Sequence, residues 1–305
     1  MNAHRATGSR TPDGPRGFSR RKRYRIRLRG EDLLLGGRTC VMGILNVTPD
    51  SFADGGRYAT ADAAVRQGMA LFECGAQIVD VGGESTRPGG GPRIEVAEEC
   101  RRIAPVLEAL RARGAGPLSI DTSRAAVARA ALDAGADMVN DISGFRFDPE
   151  LPALVAARGV PAVIMHLRGT HETMHAESTY ADVASEIGAE LQDAIARSER
   201  FAVRREQLIL DPGIGFSKRA DQSLTTLRDV GALAALDRPI LVGPSRKSFI
   251  GAVLNRPVEE RLMGTAAAVA ASILAGAHIV RVHDVAEMGD VARMCDAILA
   301  GAEAA

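Results

Sequence analysis

Eight short apolar runs, each rich in valine or isoleucine, constrain the fold of this chain more than any other feature. They are residues 39–45, 77–81, 117–120, 137–140, 161–165, 207–211, 238–242 and 278–282. Continuous apolar runs of this length are typical of parallel β-strands buried on both faces. Stretches with helical periodicity lie between them, at 62–75, 94–113, 124–135, 180–202, 221–236, 259–276 and 284–300. This repeated alternation predicts an α/β fold, a single-domain (β/α)8 TIM barrel, with an open doubly wound sheet as the alternative.

The charge of the chain is distributed unevenly. Residues 1–23 carry seven arginines and lysines against one aspartate, a net charge of +6, and the rest carries −6 because the formal total is zero. This stretch is rich in glycine, proline and serine and has no apolar run. We therefore predict a flexible basic tail over 1–23 and one barrel domain over 24–305. A solvated extension is favoured over an arm that binds nucleic acid, and no nucleic-acid partner is expected.

The sequence has no feature typical of a membrane or secreted protein. No stretch reaches the ~18 apolar residues of a transmembrane helix, and we find no apolar core of a signal peptide. The four cysteines are scattered and form no C-x-x-C motif. These features predict a reduced, cytoplasmic protein without a membrane partner.

Polar residues collect where the predicted strands end. Asp121, Asn140 and Asp211 each fall at the end of a strand, and the loops that follow other strands read NVTPDSFADGG, GGESTRPGGG and GPSRKS. The opposite ends of the strands show no such concentration of polar residues, and Gly-Ala precedes several of the strands. Because a TIM barrel carries its chemistry at the carboxyl ends of the strands, this asymmetry indicates an enzyme.

Four basic residues fall near the last two strands, namely Arg246, Lys247, Arg281 and His283. Arg281 and His283 are two residues apart, so they share one face of a strand. The loops after the seventh and eighth strands are the usual phosphate site of this fold, and a helix amino terminus there adds N–H donors. We therefore expect a phosphorylated or diphosphorylated ligand. The alternative is that some of these residues pair with carboxylates of the barrel.

Asp121, Asn140 and Asp211 form a second group, which would lie deep in the barrel. Buried carboxylates without partners are costly, so a cation or a ligand rich in N–H groups must satisfy them. A carboxylate and a carboxamide together can bind the guanidine-like edge of a pterin or guanine ring. Pairing with Lys247 or Arg281 is the structural alternative.

The loop after the fifth strand contains His166, His171 and His175, which are spaced like metal ligands. No cysteine accompanies them, and we identify no helical i, i+4 pair of histidines with a glutamate between them. We therefore favour a mobile loop over a zinc site.

Seven segments, each at a predicted strand end, resemble in order the motifs of the dihydropteroate synthase family. They are MGILNVTPDSFADGG (42–56), GGESTRPG (82–89), DTS (121–123), NDISG (140–144), DPGIGF (211–216), GPSRKSFIG (243–251) and RVHD (281–284). The resemblance extends from about residue 38 to residue 302 and excludes the basic tail. It implies a TIM-barrel transferase of folate biosynthesis that forms a homodimer. Such an enzyme joins 6-hydroxymethyl-7,8-dihydropterin diphosphate to p-aminobenzoate with the help of Mg²⁺, releases diphosphate and 7,8-dihydropteroate, and is inhibited by sulfonamides.

The resemblance also implies roles for single residues. The pterin pocket would comprise Asp121, Asn140, Met165, Asp211 and Lys247. The diphosphate would be bound by Asn46, Arg281 and His283, with Asn46 also a Mg²⁺ ligand. The p-aminobenzoate pocket would be formed by Phe216, Ser248 and the first two loops, which carry Thr48, Pro49, Asp50, Phe52, Asp54, Thr86, Arg87 and Pro88. The residues expected to take part in catalysis are Asn46, Asp121, Lys247, Arg281 and His283. Ser217 departs from the family pattern, because glycine is common at that position.

Three other functions remain open at this point. A pterin-dependent methyltransferase of the corrinoid type would share the deep carboxylates and the asparagine, but it needs no diphosphate site. A Schiff-base aldolase would use Lys247 as its nucleophile. A non-catalytic, pterin-binding paralogue would have lost residues of the first loop or of the diphosphate site, and none is visibly lost here.

Overall fold

The computed structural model describes residues 21–48, 57–84, 94–170, 173–174, 176 and 178–301. The strands are β1 Tyr24–Arg27, β2 Asp32–Leu35, β3 Cys40–Asn46, β4 Ile78–Gly82, β5 Leu118–Asp121, β6 Met138–Asp141, β7 Ala162–Met165, β8 Leu208–Asp211, β9 Leu241–Val242 and β10 Ile279–Val282. The α-helices are α1 Arg57–Glu73, α2 Val96–Ala112, α3 Ala125–Asp133, α4 Glu150–Arg158, α5 Val183–Arg200, α6 Ala220–Arg228, α7 Ser248–Leu254, α8 Leu262–Leu274 and α9 Val285–Ala300.

Strands β3 to β10 form one parallel sheet in the order β8-β7-β6-β5-β4-β3-β10-β9. A parallel bridge between Leu210 of β8 and Ile240, just before β9, joins the two ends of this sheet. The sheet is therefore a barrel, as the eightfold alternation predicts. The predicted strand over 238–242 is shortened to β9, in part because Pro239 has no N–H group to donate to a neighbouring strand.

A short antiparallel hairpin, β1–β2, covers the amino-terminal end of the barrel and was not predicted. Ile26, Leu28 and Leu35 of this segment are buried. They pack on barrel side chains such as Met42 and Ile78, which point into the barrel near the start of their strands. Because this end is covered by an apolar plug, the opposite end carries the open mouth.

The larger core lies between the outer face of the barrel and the surrounding helices, where Val41, Leu107, Leu132 and Ile273 are fully or almost fully buried. Two helices, α4 with 9 residues and α7 with 7 residues, were not among the helical stretches predicted from periodicity. The other predicted helices lie where expected, although the stretch 221–236 divides into α6 and a 3-10 segment over Val230–Leu236.

The first described residues contact the barrel. The Arg21 guanidinium forms an ion pair with Asp296 at 2.6 Å, and the Lys22 carbonyl oxygen lies 3.0 Å from Nε2 of His278. Residues 1–20 of the predicted tail lie outside the described residues. The four cysteines Cys40, Cys74, Cys100 and Cys295 are unpaired, and among the described residues we find no helix suited to span a membrane.

Candidate active site

The predicted site residues that the structure describes lie at the carboxyl ends of the barrel strands and in the loops that follow them. Asn46 ends β3, Asp121 ends β5 and Asp211 ends β8, while Asn140 lies in β6 and Arg281 in β10. Because all strands are parallel, these ends meet around one mouth.

The Arg281 guanidinium lies at the centre of a buried charge network. Its Nε donates to Oδ2 of Asp80 at 2.6 Å, and its Nη2 donates to Oδ2 of Asp121 at 2.7 Å. The same Asp80 oxygen accepts from Nδ2 of Asn140 at 2.9 Å. Arg281 therefore pairs with carboxylates of the barrel, which was the alternative to phosphate binding left open by the sequence.

Burial determines the direction in which the pKa of Asp121 shifts in this network. It raises the pKa of Asp121 to about 7, against the opposing effect of Arg281. Oδ1 of Asp121 and Oδ1 of Asp80 are buried and have no hydrogen-bond partner among the described residues. Such oxygens favour a ligand that offers N–H donors.

Asp80 was not predicted as a site residue, although it is fully buried and joins two residues that were. It lies within the apolar run of β4, two residues after Ile78, whose side chain faces the barrel interior. Strand alternation places both side chains on the same face. A carboxylate inside an otherwise apolar strand was the signal in the sequence.

Lys247 lies on the other side of the mouth, next to Asp211. Its amino group donates to the carbonyl oxygen of Ile214 and lies 4.2 Å from the centre of the Phe216 ring. Burial lowers the pKa of Lys247 to about 8, although Asp211 opposes this effect. Burial likewise raises the pKa of Asp211, opposed by Lys247. Each group thus favours the charged form of the other.

An apolar patch lies beside these charges. Met165, at the end of β7, is buried with Ile142, Leu167, Met174 and Phe216. The structure therefore brings Met165 and Phe216 together with the predicted pterin residues, next to a surface suited to a flat ring.

The diphosphate residues are partly exposed at the mouth. Nδ1 of His283 lies 2.9 Å from Oγ of Ser245, and its backbone N–H donates to the same oxygen at 3.2 Å. Ser248, the first residue of α7, is exposed. Arg246 has a different role, because its guanidinium forms a two-point ion pair with Asp284.

Part of the predicted site lies outside the described residues. This part comprises Pro49, Asp50, Phe52 and Asp54 of the first loop and Thr86, Arg87 and Pro88 of the second. Thr48, which precedes them, is partly buried.

The histidine loop has no described metal site. His166 is buried, with Glu190 at its Nε2 and Lys218 at its Nδ1. Residues 171–175 read HETMH and do match the H-E-x-x-H pattern. That pattern needs a helix to place both histidines on one face, whereas the described residues 173, 174 and 176 form turns. His171 and His175 lie outside the described residues.

Comparison with known proteins identifies the family. The family profile described as "Pterin binding enzyme" matches residues 42–283. A dihydropteroate synthase of Synechocystis is 48% identical over 264 residues, which cover 86% of this chain and 91% of that protein. This chain belongs to the dihydropteroate synthase family.

Solved structures of dihydropteroate synthases have the same fold. The Xanthomonas albilineans enzyme with 4-aminobenzoic acid has a TM-score of 0.85 and 41% identity, covering 92% of this chain and all of that one, 100%. The Yersinia pestis enzyme in a sulfonamide drug complex has a TM-score of 0.83 and 38% identity, covering 90% of this chain and 98% of that one. The predicted family and the predicted TIM barrel are confirmed.

Ser217 occupies a position where glycine is common in dihydropteroate synthases, and its local contacts explain how serine is accommodated. Ser217 has a φ of +44°, in the left-handed region that favours glycine. Its Oγ accepts from the backbone N–H of Arg168 at 3.0 Å, and its carbonyl oxygen accepts from the Tyr180 hydroxyl at 3.0 Å. These two bonds stabilise a conformation that serine adopts at a cost.

Proposed function

We infer that the protein is a transferase that joins 6-hydroxymethyl-7,8-dihydropterin diphosphate to p-aminobenzoate, giving 7,8-dihydropteroate and diphosphate. One observation carries this inference: a chain of this family places Asp121, Asp211, Lys247 and Arg281 around one barrel mouth. Two carboxylates suit the N–H edge of a pterin, and two cations suit its ring oxygen and its diphosphate.

Pterin recognition follows from the unsatisfied acceptors. Oδ1 of Asp121 is buried without a hydrogen-bond partner among the described residues, and Asp211 lies across the mouth beside Lys247. A pterin amino group and ring N–H would donate to these carboxylates. Asn140 can donate and accept at the ring edge, while Met165 packs against the face of the ring.

Diphosphate binding is assigned to the basic side of the mouth. Nε and Nη2 of Arg281 are bonded to carboxylates, so Nη1 is the nitrogen through which Arg281 would reach a phosphate oxygen. His283 and Asn46 would add donors beside it.

We expect Mg²⁺ to enter the site bound to the diphosphate of the substrate. Among the described residues, no three His, Cys, Asp or Glu side chains cluster to form a metal site. Asn46 offers a partly exposed carboxamide oxygen at the mouth. Mg²⁺ commonly takes one or two protein ligands together with substrate phosphates and water, so Asn46 would hold it with the diphosphate. When bound, the ion neutralises charge on the leaving diphosphate.

The chemistry is a dissociative substitution. As diphosphate leaves, positive charge develops on the pterin methylene, and the Asp121 carboxylate favours that charge when it is ionised. Arg281 and His283 offset the negative charge of the leaving group. The arylamine nitrogen then attacks the methylene carbon and loses one proton to solvent. It attacks from a position bounded by Phe216 and Ser248, with Thr86, Arg87 and Pro88 of the second loop assigned to the same pocket. Sulfonamides, as analogues of p-aminobenzoate, would compete there.

Exposed apolar side chains support a homodimer, and the four unpaired cysteines support a cytoplasmic location. Val253, Leu254 and Met263 on α7 and α8 are exposed, with Met263 at 76% of its full accessibility. Exposed apolar side chains on two neighbouring helices support a contact between two copies of the chain. Sedimentation at micromolar concentration tests the dimer, and a single species with the mass of one chain would exclude it.

Substitutions of two adjacent basic residues, Arg246 and Lys247, test the assignment of the pterin site. Lys247→Ala should abolish binding of pterin diphosphate and product formation, because the pterin loses its donor. Arg246→Ala is the matched control, since Arg246 bonds to Asp284 and not to the pocket. Calorimetric titration with pterin diphosphate gives the affinities. Unchanged affinity in Lys247→Ala, or equal loss in both variants, would contradict the proposal.

A further inference from the structure

Lys218 is buried below the loop that follows β8 and has no place in the site described so far. Its amino group lies 2.9 Å from Nδ1 of His166, 3.1 Å from the carbonyl oxygen of Gly213 and 3.1 Å from that of Phe216. An ammonium group has three N–H donors, and these three atoms provide one acceptor for each.

The tautomer of His166 supports this pattern. Nε2 of His166 lies 3.0 Å from Oε2 of Glu190. An ionised carboxylate only accepts, so Nε2 carries the proton and Nδ1 is left as an acceptor for Lys218. Burial lowers the pKa of His166 to about 4, which keeps the ring neutral at pH 7. Glu190, His166 and Lys218 thus form one directed series of hydrogen bonds.

The two carbonyl groups that Lys218 binds flank the residue that positions Lys247. Ile214 lies between Gly213 and Phe216, and its carbonyl oxygen accepts from the amino group of Lys247. The Phe216 ring lies under the same amino group. The orientation of the loop over 213–216 therefore determines where the Lys247 ammonium lies.

This loop has an irregular backbone. Gly213, Gly215 and Ser217 all have positive φ values, of 69°, 77° and 44°. Within the loop, the Phe216 N–H donates to the Gly213 carbonyl oxygen at 3.1 Å. Residues in the left-handed region persist when their surroundings fix them, and the amino group of Lys218 adds such a contact from outside the loop. Lys218 binds both of its ends.

We propose that Lys218 is a positioning residue for the transfer reaction: by bonding to Gly213 and Phe216 it fixes the loop on which Lys247 rests, and Glu190 orients it through His166. The proposal rests on the function proposed above only for the role of Lys247 as a pterin ligand. Burial lowers the pKa of Lys218 to about 7, whereas the carboxylates of Asp211 and Glu190 oppose this effect and favour the charged form of Lys218.

The chain offers an unusually direct spectroscopic test. It contains three lysines, Lys22, Lys218 and Lys247, so protein labelled with ¹³C at lysine Cε gives three side-chain signals that single substitutions assign. Lys218→Met removes the ammonium and keeps a chain of similar length. We expect it to shift the Lys247 signal and to raise the KM for pterin diphosphate by about tenfold or more.

A purely structural role gives a different result. In that case Lys218→Met lowers the melting temperature while the Lys247 signal and the KM remain at their wild-type values, and this outcome overturns the proposal. The NMR readout needs no substrate. If the wild-type protein shows no turnover but the Lys247 signal still shifts in Lys218→Met, the proposed function fails and the positioning role stands.

If Lys218→Met does not fold, substitutions of two glutamates on α5 test the positioning role of Lys218. Glu190 and Glu186 lie one turn apart on α5 and both bind Arg168, but His166 lies next to Glu190 alone. We expect Glu190→Gln to shift the Lys218 signal and weaken pterin binding, and Glu186→Gln to do neither. Equal effects of the two variants on the Lys218 signal overturn the proposal.

Discussion

Replacing Asp80 by asparagine tests the buried network on which the site depends. Its Oδ2 accepts from Arg281 at 2.6 Å and from Asn140 at 2.9 Å, and Asp80 is 0% exposed. A hydrogen bond to a charged group contributes about 1.5–3 kcal/mol. Asparagine keeps one acceptor oxygen but removes the charge, and Asp121 still pairs with Arg281. We therefore expect a loss of about 3 kcal/mol in the free energy of unfolding, the lower end of the ~3–5 kcal/mol for breaking a buried ion pair.

The same substitution should impair catalysis, because the bond that holds Arg281 to one of its two carboxylate partners loses its charge and is weakened. A displacement of about 1 Å at a reacting site can reduce the rate on the order of a hundredfold. Asp137→Asn is the matched control: Asp137 is a buried aspartate that bonds to Arg111 and to the backbone N–H of Leu118, at the opposite end of the barrel. It should lower stability and leave kcat/KM unchanged.

Urea unfolding and steady-state kinetics on both variants provide the measurements. A stability loss in Asp80→Asn below about 1 kcal/mol, the range of an exposed ion pair, would refute the energetic reasoning. Equal kinetic loss in the two variants would refute the positional reasoning.

Two further predictions concern pH and the loop after β8. The pKa of Asp121 is raised to about 7 and that of Lys247 lowered to about 8, and activity needs the first ionised and the second protonated. Thus kcat/KM should rise with pH as Asp121 ionises and fall as Lys247 loses its proton; Lys218, whose pKa burial lowers to about 7, should contribute to the same fall. Asp121→Asn should remove the acidic limb, and an acidic limb that persists in this variant contradicts the assignment. Gly213→Ala should destabilise the protein by more than the ~1–2 kcal/mol for a left-handed alanine, because a Cβ there overlaps the backbone oxygen of His166. Gly159→Ala, at a similar φ of 65° with open space around it, should show only the conformational cost, and equal thermal shifts would contradict the steric argument.

Much of the fold could be predicted because parallel strands buried on both faces have a clear sequence pattern. The strand ending at Asp121 was expected at 117–120 and is observed at Leu118–Asp121. The hairpin β1–β2 was missed because its strands have only 4 residues each, and because the first of them, YRIR, directly follows the basic tail and continues its arginine-rich pattern.

The partners of the site residues could not be predicted in the same way. Arg281 and Asp80 are separated by 201 positions and meet only because β10 and β4 both flank β3. The sequence could place Arg281 at the mouth, but its pairing depends on the register of neighbouring strands. Lys218 was missed for a related reason, since its three acceptors come from two different loops.

The most direct test of the central claim is the stoichiometry of the complete reaction. The protein is supplied with dihydropterin diphosphate, p-aminobenzoate and Mg²⁺, and dihydropteroate and diphosphate are measured together. We expect both products to form in equal amounts, with formation depending on all three additions. Diphosphate release without dihydropteroate, or no turnover in a folded sample that binds the pterin, would contradict the account.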